Sequence, residues 1–118
     1  MGVIVFVALL TISWAETYKI TLENNGQLFN FKNGEEFDVV LVTNPSTGHN
    51  WELETNNRHL QLLDHKITEN KENIPGSNFD EVWSFRAIKK GFVWVNATYN
   101  IPTTKDIDYY FTVVIRVM

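Results

Sequence analysis

Three histidines, His49, His59 and His65, are the first side chains in this chain that could do chemistry. Their spacing fits neither the helical pair of a zinc peptidase nor a compact zinc finger, so they read as ordinary surface histidines. The chain has no cysteine, which removes disulfides, thiolate metal sites and a cysteine nucleophile together. Ser46 and His49 lie close in sequence, but no G-x-S-x-G elbow surrounds a serine, and nearness along a loop does not make a dyad. Glu35-Glu36 and the Glu52/Glu54 pair read as solvated strand faces or turn edges. No glycine-rich phosphate cradle is present. The formal net charge of -4 argues against a nucleic-acid partner, which calls for a basic patch. The sequence therefore points to a binding protein rather than an enzyme, with no metal and no cofactor.

Two features remain as binding candidates. Phe92 and Trp94 share one face of a strand-like run, opposite Val93 and Val95, and such a platform suits a carbohydrate or a peptide. The second is Asn44-Pro45-Ser46-Thr47-Gly48-His49-Asn50-Trp51. Pro45 fixes its own φ and pushes Asn44 towards extended backbone. Gly48 permits a positive φ, and Ser46 and Thr47 are small residues that hydrogen-bond locally or outward. These residues specify a narrow, stiff tip between two strands. On backbone physics alone, the same features also describe a well-made turn with no further role.

The elements that must hold these residues are strands throughout. Thr17 to Glu23, Glu36 to Thr43, Asn50 to Glu54 and Leu60 to Ile67 are strand candidates, punctuated by Asn-Gly and similar turn signals. Leu28, Phe29 and Phe31 form a short apolar patch. Trp83, Phe85 and Ala87 alternate, as do Val93, Val95, Ala97 and Tyr99. The stripe Ile107, Tyr109, Phe111, Val113, Ile115, Val117 is the cleanest period of two. Thr68 to Asn78 is polar and reads as a long loop, with at most one helical turn in Glu69 to Ile74. No segment has helical periodicity. With 118 residues there is room for one domain. The pattern predicts an all-β, immunoglobulin-like antiparallel β-sandwich of seven or eight strands without a disulfide. Such a sandwich clusters its loops at its two ends, so turns distant in sequence form one surface. Asn96-Ala97-Thr98 is an N-glycosylation sequon inside one of the strand-like runs.

The tip Asn44 to Gly48 resembles the N-P-[ST]-T-G loop of the chagasin-like inhibitors of papain-family cysteine peptidases, and Trp51 falls where that family often has an aromatic. Val82 to Ala87 resembles the family's aromatic-x-aromatic strand, Lys90-Gly91 the turn after it, Val93 to Tyr99 the next strand and Tyr109 to Val117 the last. The resemblance implies an immunoglobulin-like sandwich whose three loops at one end block a peptidase cleft. Its first loop would be Asn44, Pro45, Ser46, Thr47, Gly48 and His49. The second would be Pro75, Gly76, Ser77 and Asn78, where one glycine stands in a loop that is normally glycine-rich. The third would be Asn100, Ile101, Pro102 and Thr103, which keeps the proline of an R-P-[WF] motif and lacks its other two residues. The implied partner is a papain-like cysteine peptidase, bound by a chain that is a monomer when free. The alternative from a different class is an immunoglobulin-like adhesion or carbohydrate-binding module that uses Trp94; it has no need of Asn44 to Gly48.

Met1 to Ala15 has an apolar run from Val3 to Leu10, then small residues at Ser13 and Ala15 before polar Glu16. This is the pattern of a signal peptide, although the usual basic residue near the start is missing; the competing reading is a buried first strand. The expected division is residues 1–15 as leader and 16–118 as the inhibitor-like domain. It sends the chain into the secretory pathway, to the exterior or to a lysosomal or phagosomal lumen. No run of apolar residues is long enough for an ordinary membrane span. Mass spectrometry of the protein made in secretory cells is expected to find Glu16 as the first residue. An intact Met1 would count against the leader.

Overall fold

Alternation of buried and exposed residues along the strands builds two sheets that share one core. The computed structural model describes residues 17–74, 77–101, 103–104 and 106–118. The expected leader, and also Pro75, Gly76 and Pro102, lie outside the described residues. Eight strands follow in order: β1 (Tyr18–Thr21), β2 (Leu28–Phe31), β3 (Glu36–Thr43), β4 (Asn50–Glu54), β5 (Leu60–Ile74), β6 (Ser77–Ala87), β7 (Gly91–Ile101) and β8 (Asp106–Val117). One sheet has the order β1-β3-β6-β5 and the other β2-β8-β7-β4. Among the described residues the only helical pieces are single 3-10 turns at Leu22–Asn24 and Pro45–Thr47. The result is an all-β sandwich, as the periodicity predicts.

The core explains why these strands pair face to face. Phe37, Val39 and Leu41 of β3 are fully buried, and so are Phe111, Val113 and Ile115 of β8. Phe31 of β2 stacks on Phe37 of β3 with ring centroids 4.4 Å apart, and Phe37 meets Phe85 of β6 at 5.6 Å. Phe31 and Phe37 belong to opposite sheets, so this stack joins the two layers by buried aromatic area without any crosslink.

The structure changes two expectations. First, the sandwich is not wholly antiparallel. β1 runs parallel to β3, and β2 parallel to β8, because the chain alternates between sheets along β1, β2 and β3. Second, Thr68 to Ile74 and Ser77 to Asn78 are strand rather than loop. β5 continues to Ile74 and β6 begins at Ser77, so Ser77 and Asn78 belong to a strand. β5 is an edge strand, and among its described residues only Leu60 is buried. Such a strand has no core face to mark with apolar residues beyond its first turns, and its polarity imitates a loop. Leu60 and Leu62 of β5 face Ala87 and Phe85 of β6, the register then skips Leu63 before Asp64, and Leu62 and Leu63 are both exposed.

Replacing Phe37 by alanine removes the middle ring of the inter-sheet stack. The expected loss is about 3–5 kcal/mol of stability, read as a lower urea midpoint at unchanged slope.

Candidate functional site

The strand register brings three turns to one end of the sandwich. Thr43, the last residue of β3, pairs with Phe79 near the start of β6. β5 and β6 therefore run on past the end of β3 as a projecting hairpin. In the other sheet Asn50, which opens β4, pairs with Asn100, and Ile101 pairs with Asp106 across the β7–β8 turn. The turn from β3 to β4 (44–49), the strand ends Ile74 and Ser77 of the hairpin, and the strand ends Ile101 and Asp106 consequently lie at the same end of the sandwich.

The first turn is built by its own side chains. Asn44 has extended backbone and caps the 3-10 turn Pro45–Thr47, its Oδ1 accepting from the Ser46 N–H at 3.3 Å and from the Ser46 hydroxyl. Pro45 occupies the first helical position, where its missing N–H costs nothing. The turn ends at Gly48, whose φ of 78° is left-handed. A Cβ there would meet open space, so backbone conformation rather than crowding calls for glycine. The Thr47 hydroxyl donates to the Asn44 carbonyl at 2.8 Å and lies 2.9 Å from His49 Nδ1. A hydroxyl has one proton to give, so His49 Nδ1 carries the hydrogen between them. Ser46 bonds to Asn44 and not to His49, which leaves no serine–histidine dyad. Pro45, Ser46, Thr47 and Gly48 are exposed, and the stretch 44–50 contains no acidic, lysine or arginine side chain.

Aromatic side chains hold the base of this turn. Trp51 is buried and its indole N–H donates to the Val42 carbonyl at 2.9 Å, tying β4 back to β3 across the turn. Tyr99 Oη accepts from the Asn44 N–H at 3.1 Å. The Tyr99 ring stacks on His49 at 4.9 Å and lies 4.8 Å from Trp51 and 6.2 Å from Tyr109. Tyr99 thus fixes both ends of the tip. Sequence reading places Tyr99 at a strand end and Tyr109 in the alternating stripe of the last strand, but it misses this role and the exposure of Tyr109 beside it. The available signal is the break in the stripe, where a ring with a polar tip follows Val93, Val95 and Ala97.

The other turns depart from the expected boundaries. Asn100 and Ile101 are the last residues of β7, not loop residues. The register passes from Tyr99 opposite Tyr109 to Asn100 opposite Ile107, and this irregularity turns Asn100 inward, where it is buried with Oδ1 unpartnered. Thr103 is exposed, and the Thr104 N–H donates to the Ile101 carbonyl at 3.2 Å. In the hairpin, four residues of β5 between Glu69 and Ile74 face one residue of β6, so the strand bulges just below the tip.

The other two histidines serve separate contacts. His65 Nε2 lies 2.6 Å from the buried carboxylate of Glu81, and its ring stacks on Trp83 at 4.8 Å. His59 lies beneath Gly91, where an added Cβ would come within 2.9 Å of its ring. Among the described residues no three His, Cys, Asp or Glu side chains gather as metal ligands.

The profile of the chagasin family peptidase inhibitor I42 matches residues 30–117, from within β2 to the end of β8 and across all three turns. The chain belongs to the chagasin family of peptidase inhibitors. Three solved structures share the fold of this chagasin-family chain. The crystal structure of the cysteine protease inhibitor EhICP2 from Entamoeba histolytica has a TM-score of 0.75 at 17% identity, over 86% of this chain and 95% of that one. The solution structure of amebosin has a TM-score of 0.69 at 20% identity, over 86% and 98%. PbICP-C, in complex with falcipain-2, has a TM-score of 0.57 at 15% identity, over 86% and 99%. No curated protein sequence matches the chain.

Tyr99→Phe keeps the ring but deletes the acceptor for the Asn44 amide. The domain is expected to stay folded with a loss of about 1 kcal/mol, and hydrogen exchange at the Asn44 amide to quicken about fivefold. Unchanged exchange would show that the phenol does not hold the tip.

Proposed function

We propose that this chagasin-family chain is a reversible, tight-binding inhibitor of papain-like cysteine peptidases, and that it closes the active-site cleft with the three turns at one end of the sandwich. The observation that carries the reading is the uncharged, exposed 3-10 tip Pro45–Thr47, held from beneath by Trp51 and Tyr99. Such a peptidase has a groove between two lobes with a reactive thiolate at its floor. A tip of small residues enters the groove, with Thr47 and Gly48 deepest. The turns around Ser77 and Thr103 meet the lobes on either side.

Elementary chemistry explains why the peptidase is blocked rather than fed. A substrate segment lies extended across the catalytic dyad, whereas this tip is a closed 3-10 turn ended by a left-handed glycine. It offers no electrophile beyond ordinary peptide carbonyls, and the inhibitor has no thiol, so binding is non-covalent. The internal hydrogen bonds of the tip are made before binding, which lowers the ordering cost of association. The falcipain-2 complex of PbICP-C supports a papain-like partner for this fold, and the description of EhICP2 as a cysteine protease inhibitor supports the same class. A leader at residues 1–15 would deliver the inhibitor outside the cell or to a lysosomal or phagosomal lumen. A core held by burial alone suits a reducing, protease-rich lumen of that kind.

Titration against active papain is expected to show stoichiometric, reversible inhibition; its absence at micromolar protein would sink the reading. Thr47→Glu places charge and bulk at the deepest point. It is expected to weaken inhibition at least about tenfold, near 1.4 kcal/mol, while the thermal transition stays in place. Equal inhibition by the variant would mean that the tip does not enter the cleft.

A further inference from the structure

The outer face of β7 carries a second, unrelated feature. Phe92 and Trp94 are 64% and 59% exposed, whereas Trp51 and Trp83 are 6% and 4% exposed. These two rings lie on the solvent side of the sheet. Arg116 from β8 covers part of Phe92, with its guanidinium carbon 5.9 Å from the ring centroid. Phe92, Val93, Trp94 and Asn96 line a shallow cleft of about 280 Å³, which is completed by Glu54, Thr55 and Asn56. The Thr55 hydroxyl donates to the Trp94 carbonyl at 2.9 Å and holds this rim against the strand.

The sequon stands on the same face. Ala97 is buried, so its neighbours Asn96 and Thr98 point away from the core, on the side of Phe92 and Trp94. Asn96 is exposed and pairs with Glu54, the last residue of β4, so the edge strand ends beside it. Among the described residues no hydrogen bond engages its amide. Trp94 is two residues back along the strand, about 7 Å away, on the side leading away from the three turns.

We propose that Asn96 carries an N-linked glycan whose first sugars lie against Trp94 and Phe92. In the transfer, the Asn96 amide nitrogen bonds to the anomeric carbon of a lipid-diphosphate-linked oligosaccharide. The bond from that carbon to the phosphate oxygen breaks, the lipid diphosphate leaves, and the amide gives up one proton to the transferase. The reaction takes place on the nascent extended chain, so the later strand position decides only where the sugar rests. A pyranose has a face of C–H bonds that packs on an indole, while its hydroxyl and acetamido groups reach hydrogen-bonding partners at the rim. Glu54, Thr55 and Asn56 supply such partners around the cleft. The covalent tether keeps the sugar at high local concentration beside the rings, so weak stacking suffices. Asn100, at the inhibitory end, is four residues from Asn96 in the opposite direction, about 13 Å, so first sugars laid back over Trp94 run away from that end.

The test expresses the protein in eukaryotic secretory cells, with Met1–Ala15 exchanged for a proven cleavable leader so that the result does not depend on the native one. The secreted protein is expected to carry extra mass that peptide N-glycosidase removes, and Asn96→Gln and Thr98→Ala to lack it. Iodide quenching then reads the packing, because Trp94 is the exposed tryptophan of the domain. Quenching is expected to be roughly twofold weaker or more in the glycosylated protein than after enzymatic removal of the sugar, since the sugar takes the indole face out of water. Trp94→Phe is expected to abolish that difference. Secretion without a glycan overturns the site; a glycan with equal quenching overturns its placement on the rings.

Discussion

β3 and β4 belong to opposite sheets, and residues 44–49 must carry the chain from one to the other across the end of the sandwich. A crossing this short cannot wander. It leaves β3 at Thr43, turns once through a 3-10 helix and enters β4 at Asn50. Its geometry is decided where it is anchored, by the Trp51 indole on Val42 and the Tyr99 hydroxyl under Asn44. If those two contacts were lost, the tip would keep its internal hydrogen bonds but lose its aim relative to the neighbouring turns. The proposed inhibitory surface depends on that aim, because its three turns come from different strands and no crosslink joins them.

The core and the site rest on different physics. The core is an apolar stack, Phe31 on Phe37 on Phe85, that tolerates no water and makes no directional demand beyond ring packing. The site sits where the sandwich opens. There Trp51 and Tyr99 each pack a ring and use its polar atom in a hydrogen bond to the backbone. Tyr99 is the meeting point of the two regimes: its ring continues the inward stripe of β7, while its oxygen reaches the backbone of the tip. A chain without cysteine can hold a stiff binding edge because the edge is a continuation of the core.

The opposite treatment is visible on the outer face of β7. There Phe92 and Trp94 take part in neither the core nor the proposed inhibitory edge, yet stand in line with an asparagine that a glycan can occupy. One strand therefore serves three surroundings: the core through Val93, Val95 and Ala97, the binding edge through Tyr99, and the outer face through Phe92, Trp94 and Asn96. Alternation along a strand makes such a division available without extra length.

The period-two stripes of β3, β6, β7 and β8 are legible in the sequence because each of those strands has one wet face and one dry face, and the residue types must follow. The tip was equally legible, since Asn44, Pro45 and Gly48 each answer a local backbone demand that acts before any tertiary contact. The sequence by itself thus determined an all-β chain and the shape of one turn. Tertiary structure decided what local chemistry cannot encode. The polar residues of β5 become a strand only because β6 is there to pair with them, and Asn100 turns inward only because the register slips beside Tyr109. The partnership of Tyr99 with Asn44 joins residues 55 positions apart. Such contacts depend on which strands lie beside each other and in what register, and that is settled by packing the whole core at once.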